Sequence, residues 1–182
     1  MSEASIPDAG VLERLEALMD REAIRETLHR YCRGVDRVDA DIIRSVYWPD
    51  AHDTHGVYEG GPEGLIEQTL KVYGATDHVV HTVSSSSIAL QGKRAKVESY
   101  YLAWFATDVD EQGTRVQTFA AGRYLDIMEK RGGEWRIWKR TCVFDWIHRA
   151  PMPDGLGEEV FGIRRPIGQK APHDLLYRDG FV

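Results

Sequence analysis

The chain has 182 residues, 42% of them hydrophobic and 29% charged, with a net charge of −6. That length suits one compact domain that buries its core without disulfides or metal. The acidic balance argues against nucleic acid or an anionic membrane as partner, since both require a basic footprint. No run of about 18 apolar residues occurs, so no membrane span is expected. Met1 to Ser5 has neither a positive start nor an apolar stretch, which speaks against secretion. The two cysteines, Cys32 and Cys142, each lie beside apolar neighbours and read as buried thiols in a reducing cytoplasm.

From Val11 to about Val35, apolar residues recur at Leu12, Leu15, Met19, Ile24, Leu28, Tyr31 and Val35 with Glu and Arg between them. The spacing predicts one long amphipathic helix. Asp39 then caps a short second helix carrying Ile42, Ile43, Val46 and Tyr47, which Pro49 ends. Ala51 to Gly60 reads as a short strand or hairpin. Gly61-Pro62-Glu63 opens a third helix through Tyr73, with proline in its first turn and glycine after its end.

After Gly74 the period changes. His78 to Leu90, Ala95 to Thr107, Arg115 to Glu129 and Trp135 to His148 are long runs rich in Val, Thr, Tyr, Phe and Trp. Gln91-Gly92-Lys93, Glu111-Gln112-Gly113 and Arg131-Gly132-Gly133 punctuate them as hairpin turns. Helices followed by an antiparallel meander predict an α+β domain over residues 1–150, with helices on one face of a strongly bent sheet. Residues 151–182 are rich in Pro and Gly and form an extended arm of the same domain, docked on it or on a neighbouring subunit.

Three polar residues are embedded in core-like sequence. Arg140 lies in Trp138-Lys139-Arg140-Thr141-Cys142-Val143-Phe144, where alternation puts Trp138, Arg140, Cys142 and Phe144 on one face. A buried cation needs an anion or a polar ligand. Arg140 therefore either stabilises negative charge on a substrate or forms a structural ion pair. His81 shares a strand face with Val79, Val83 and Ser85, with His78 pointing the other way. It is either a general base or a core histidine bonded to a carbonyl. Asp36, at the end of the first helix, either orients an imidazole or caps backbone amides and pairs with Arg37. Tyr31, about 140° around the helix from Asp36, donates to an oxyanion or fills the core. Trp104, Phe105, Tyr124, Trp138 and Phe144 wall an apolar substrate pocket or fill the core.

Other motifs point to less. His52-Asp53-Thr54-His55 matches no strong zinc spacing and reads as a solvated loop, so no metal is expected. The serines 84–87 lack a glycine elbow, and no GxGxxG or phosphate loop occurs, so neither a serine nucleophile nor a nucleotide cofactor is expected.

In order along the chain stand Tyr31-Cys32-Arg33-Gly34-Val35-Asp36, Tyr47-Trp48-Pro49-Asp50-Ala51, Tyr58-Glu59-Gly60-Gly61-Pro62-Glu63-Gly64, the strand of His78 and His81, and Gly133-Glu134-Trp135-Arg136-Ile137-Trp138-Lys139-Arg140. With this layout, residues 10–148 resemble the SnoaL-like branch of the nuclear transport factor 2-like superfamily. Scytalone dehydratase, bile-acid 7α-dehydratase and hexachlorocyclohexane dehydrochlorinase are among its members. The resemblance implies a cone-shaped α+β barrel with a pocket between sheet and long helix, and cofactor-free elimination by a His–Asp dyad. It also implies that Asp36 and His81 stand where the dyad is expected, that Arg140 matches a pocket arginine, and that Tyr31 matches the tyrosine of the bile-acid enzyme. The dehydrochlorinase carries lysine near that last position, which argues against an identical reaction.

The expectation is a cofactor-independent lyase acting on a hydrophobic, aromatic or polycyclic hydroxylated molecule, by dehydration or by retro-aldol loss of formaldehyde as in diarylpropane lyase. The alternative is a noncatalytic binding or assembly subunit, such as a ring-hydroxylating dioxygenase small subunit. Exposed sheet surface favours a homodimer or homotrimer.

Overall fold

The computed structural model describes residues 8–76, 79–109, 113–152 and 168–178. Helix α1 runs Ala9–Arg37, with the Asp8 carboxylate accepting from the Gly10 amide at its start. Only its second half buries an apolar face, through Ile24, Leu28, Tyr31, Cys32 and Val35. In the first half Leu12, Leu15, Leu18 and Met19 stay exposed. Val38 ends the helix in the left-handed region (φ 54°), a conformation that costs a branched residue about 1–2 kcal/mol. The sharp turn lets Asp39 cap α2 (Ala40–Val46) by accepting from the Asp41 and Ile42 amides.

The second helix stops at Val46, earlier than its apolar pattern suggests. Tyr47 already belongs to strand β1 (Tyr47–His55), so Pro49 lies within a strand. The stretch 52–55, expected as a solvated loop, is the end of this strand, and Asp53 within it is 1% exposed. β2 (Tyr58–Gly60) folds back on β1, and α3 (Pro62–Tyr73) begins with proline behind Gly61. The meander follows as β3 (Val79–Gln91), β4 (Arg94–Val109), β5 (Arg115–Arg131) and β6 (Glu134–Pro151). Gly92, Gly132 and Gly133 take positive φ in its turns. His78 and the turn residues 111–112 lie outside the described residues.

The strand order is β2-β1-β6-β5-β4-β3. β1 runs parallel to β6, so the sheet is mixed rather than antiparallel throughout, and its end strands β2 and β3 do not pair to close it. It is a cone-like α+β fold, as expected. The three helices cover the inner face of the sheet, where α1 meets β3 and β6, and α3 meets β1 and β2. The core lies between them, built from Ile24, Leu28, Ile43, Val46, Met128 and Ile137 among others. In the arm, residues 168–178 dock on the same chain. The Ala171 amide donates to the Arg37 carbonyl, the Lys170 ammonium to the Gly74 carbonyl, and the Tyr177 hydroxyl to Asp39.

Candidate active site

His81 lies on the inner face of β3, the edge strand against which α1 packs. Asp36, in the last turn of α1, grips it twice. Its two oxygens accept from the His81 backbone amide at 2.9 and 3.0 Å, and one of them lies 2.8 Å from His81 Nδ1. A carboxylate is disfavoured at a helix C-terminus by the macrodipole, and these donors compensate it. With Nδ1 turned to the carboxylate, the proton belongs on Nδ1, leaving the Nε2 lone pair free to accept another. No hydrogen bond to Nε2 is made among the described residues. Asp36 and His81, expected as partners, are thus brought together, and both side chains are largely buried. A cleft of about 330 Å³ opens beside them, lined by Cys32, Arg33, Asp36, His81, Thr82 and Val83 among others. Burial pushes the Cys32 thiol up to about 12, so it stays protonated.

Beyond His81 the strand departs from simple alternation. A bulge between Val83 and Ser86 brings Ser86, rather than Ser85, onto the inner side, where its hydroxyl meets that of Ser99 at 3.0 Å. Tyr73, at the end of α3, sets its ring edge-on to the His81 imidazole, with centroids 5.8 Å apart. Phe105 packs against Tyr73 in the same manner at 5.6 Å. Phe105 therefore stands on the histidine's side of the sheet, and Tyr73 is a neighbour of His81 that strand patterning alone does not single out.

Arg140 is 1% exposed, and its guanidinium is held by the Asp126 carboxylate, with Nε and Nη2 each donating at 2.7 Å. Its structural partner is Asp126, its neighbour on β5. Tyr31 and Tyr124 cover its two sides at 4.3 and 4.2 Å from ring centroid to Cζ. Burial opposes the guanidinium's charge, but the facing Asp126 carboxylate outweighs it and keeps Arg140 firmly protonated. Nη1 is buried without a partner among the described residues. Burial likewise drives the Tyr31 hydroxyl well above its ordinary range, so it is a neutral donor. The dyad and this arginine cluster are not in contact. Cys32 lies between them, within the field of both Asp36 and Arg140.

The expected aromatic wall divides. Trp138 is the extra residue of a bulge in β6, because Met128 pairs with Ile137 while Ile127 pairs with Lys139. The bulge turns Trp138 outward, where its indole donates to Asp50 and packs beneath Arg94 and Lys139. It is not a pocket residue. Trp104 is also on the outer face, 49% exposed and packed on Phe119 of β5, because it alternates with the inward Ala103 and Phe105. Tyr124 does face inward, but it is fully buried between Tyr101 and Arg140 and presents nothing to a ligand. Phe144 is inward and 40% exposed, edge-on to Tyr101 and His55.

Two further residues belong to this interior. His55 Nδ1 is 3.6 Å from Asp53 Oδ1, while Asp53 Oδ2 accepts from the Tyr47 hydroxyl at 2.6 Å. Cys142, paired with His55 across β1 and β6, donates its thiol hydrogen to the Tyr101 hydroxyl at 3.4 Å. The alternation of Asp53 and His55 along one strand was the available signal. It was masked by the polar run in which they stand. No group of three or more His, Cys, Asp or Glu side chains is arranged to hold a metal ion among the described residues.

The sequence profile of the SnoaL-like domain matches residues 16–141, and the chain belongs to that family. Solved structures agree on the nuclear transport factor 2-like fold. A type 2 hexachlorocyclohexane dehydrochlorinase superposes with a TM-score of 0.67 at 20% identity, covering 79% of this chain and 99% of that one. A protein from Novosphingobium aromaticivorans, provisionally named a scytalone dehydratase, gives 0.63 at 19% identity, with 78% and 97% covered. A nuclear transport factor 2-like protein of cystatin-like fold from the same organism gives 0.60 at 21%, with 78% and 92% covered. At these identities the likeness establishes the fold. A comparison with curated proteins finds no match.

Proposed function

We propose that the protein is a cofactor-independent lyase acting on a hydrophobic, aromatic or polycyclic hydroxylated molecule, by dehydration or by retro-aldol loss of formaldehyde. The observation that carries this reading is the His81–Asp36 pair, with Nδ1 at 2.8 Å from the carboxylate and the same carboxylate holding the strand amide. That double grip fixes the ring's tautomer and direction before any substrate arrives, which is what a general base requires. Nε2 removes the proton, and Asp36 stabilises the imidazolium that forms. Tyr31 and Arg140, buried behind Cys32, act on developing negative charge through their field rather than by contact. Tyr73, Phe105 and Phe144 supply the apolar contact. The similarity to a dehydrochlorinase and to a protein provisionally named a scytalone dehydratase supports an elimination.

The test is a screen of lignin-derived aryl alcohols and hydroxysteroids for a product of new ultraviolet absorbance, repeated with His81→Ala. A positioned base contributes about 10²–10⁴-fold, so the variant is expected to lose at least that factor in kcat while keeping its fold. Unchanged turnover by the variant overturns the assignment of His81 as the base, and substrate binding without turnover by the wild type favours a noncatalytic binder.

A further inference from the structure

Beneath the sheet lie two buried carboxylates, Asp53 and Asp126, and one buried guanidinium, Arg140. Arg140 spends both of its paired donors on Asp126. Asp53 retains the Tyr47 hydroxyl; its other oxygen makes no hydrogen bond among the described residues and lies 3.6 Å from His55 Nδ1, while Arg140, already committed to Asp126, is its neighbour across β1 and β6. An uncompensated carboxylate at 1% exposure costs several kcal/mol. A neutral His55 leaves the cluster one charge short; a protonated His55 balances it.

The ring is also reachable. The His55 side chain is 24% exposed, against none for Arg140, and it packs edge-on to the half-open Phe144. The groups around it come from every neighbouring element. Asp53 and Tyr47 are on β1, Cys142 and Arg140 on β6, Tyr124 and Asp126 on β5, Tyr101 on β4, and Tyr31 on α1.

We propose that His55, held as an imidazolium by Asp53, is a subsite for an anionic oxygen of the substrate, a carboxylate or phenolate at the end away from the reacting carbon. This rests on the reading that substrate lies between α1 and the inner face of the sheet. Burial works against the charge on His55, but the Asp53 carboxylate beside it pushes the imidazole up, to about 9. Three strands separate β1 from β3. At about 4.8 Å per strand, the two histidines stand roughly 19 Å apart across the sheet, and the register offsets them by about 13 Å along it, His55 being level with Ser99 of β4 and His81 with Ala103; the curvature of the sheet brings them closer across its inner face. An extended polycyclic ligand bridges such a span; a single small ring does not. The inference therefore narrows the substrate to an elongated, oxyanion-bearing aromatic.

The experiment compares biphenyl-4-carboxylate with its neutral analogue biphenyl-4-carboxamide by calorimetric titration at pH 7.5, alongside nitrogen-15 NMR of the histidine rings. The wild type is expected to favour the carboxylate. His55→Gln should weaken the carboxylate about tenfold and leave the carboxamide unchanged. The His55 nitrogens should report an imidazolium at pH 7.5 that titrates near pH 9, and Asp53→Asn should lower that midpoint and reduce the carboxylate preference even where His55→Gln folds poorly. Equal affinity for the two probes, binding of neither, equal weakening of both, or a neutral His55 at pH 7.5 overturns the proposal. None of these readouts depends on turnover. Loss of the lyase reading through His81→Ala is therefore distinguishable from failure of this one.

Discussion

Arg140 and Asp126 face each other across β5 and β6, both side chains wholly buried. Their contribution is asymmetric. A buried pair replaced by apolar residues of similar volume is often neutral, whereas removing one partner strands the other charge at a cost of about 3–5 kcal/mol. Asp126→Ala is accordingly expected to lose that much stability in urea unfolding, and Asp126→Leu combined with Arg140→Met to recover most of it. Equal losses in the single and double variants would show that the pair holds the fold by its charge. That Arg140 needs an anion was readable from its apolar strand. Which anion was not, because Asp126 looks like any other strand carboxylate until the register of β5 against β6 is known. The same holds for Asp53 and His55, which are enclosed by helices packing on β1 and by the Tyr124 and Phe144 rings.

At the scale of the element, β6 decides which side chains reach the interior. Its two bulges, at Trp138 and at Asp145, each shift the alternation by one residue. Period-two reading of the sequence places Trp138 with Arg140; the first bulge separates them. Near the second, Gly122 of β5 pairs with Phe144, and a Cβ added there would lie 2.0 Å from the Val143 carbonyl oxygen and 2.9 Å from the Tyr101 ring. Gly122→Ala must therefore push strand or ring aside, and overpacking of this kind costs about 1–3 kcal/mol. The expected outcome is a lower denaturation midpoint with an altered near-ultraviolet dichroism from the Tyr101–Tyr124 stack. An unchanged midpoint and spectrum would mean that the bend at this point is softer than the packing implies. Helices were easier to read than strands, since α2 carries its own cap at Asp39 and α3 opens on Gly61-Pro62, whereas a bulge has no local marker.

For the whole molecule, the uncovered surfaces matter most. Trp104, Trp146, Ile147, Val80 and Tyr100 stand exposed on the strands, and Leu15, Leu18 and Met19 on the first half of α1. Exposed apolar side chains on both the strands and α1 are the expected contacts of a second copy. A homodimer or homotrimer is the expected species in sedimentation equilibrium, with Trp104→Glu and Trp146→Glu shifting it toward monomer. A wild-type protein that stays monomeric at micromolar concentration contradicts this. No described helix is long and apolar enough to cross a membrane.

What the sequence determined by itself was whatever depends on neighbours along the chain: three helices, four long strands with their turns, an α+β architecture, and a few polar residues out of place in apolar runs. These follow from periodicity and capping, which act within a few residues. Only the tertiary structure decided which of those residues meet. It joined Asp36 to His81, gave Arg140 to Asp126, turned Trp138 and Trp104 outward, and brought Asp53 and His55 inside. Each of these outcomes depends on strand register and sheet curvature, and both are set by packing between segments far apart in the chain, where no local pattern reaches.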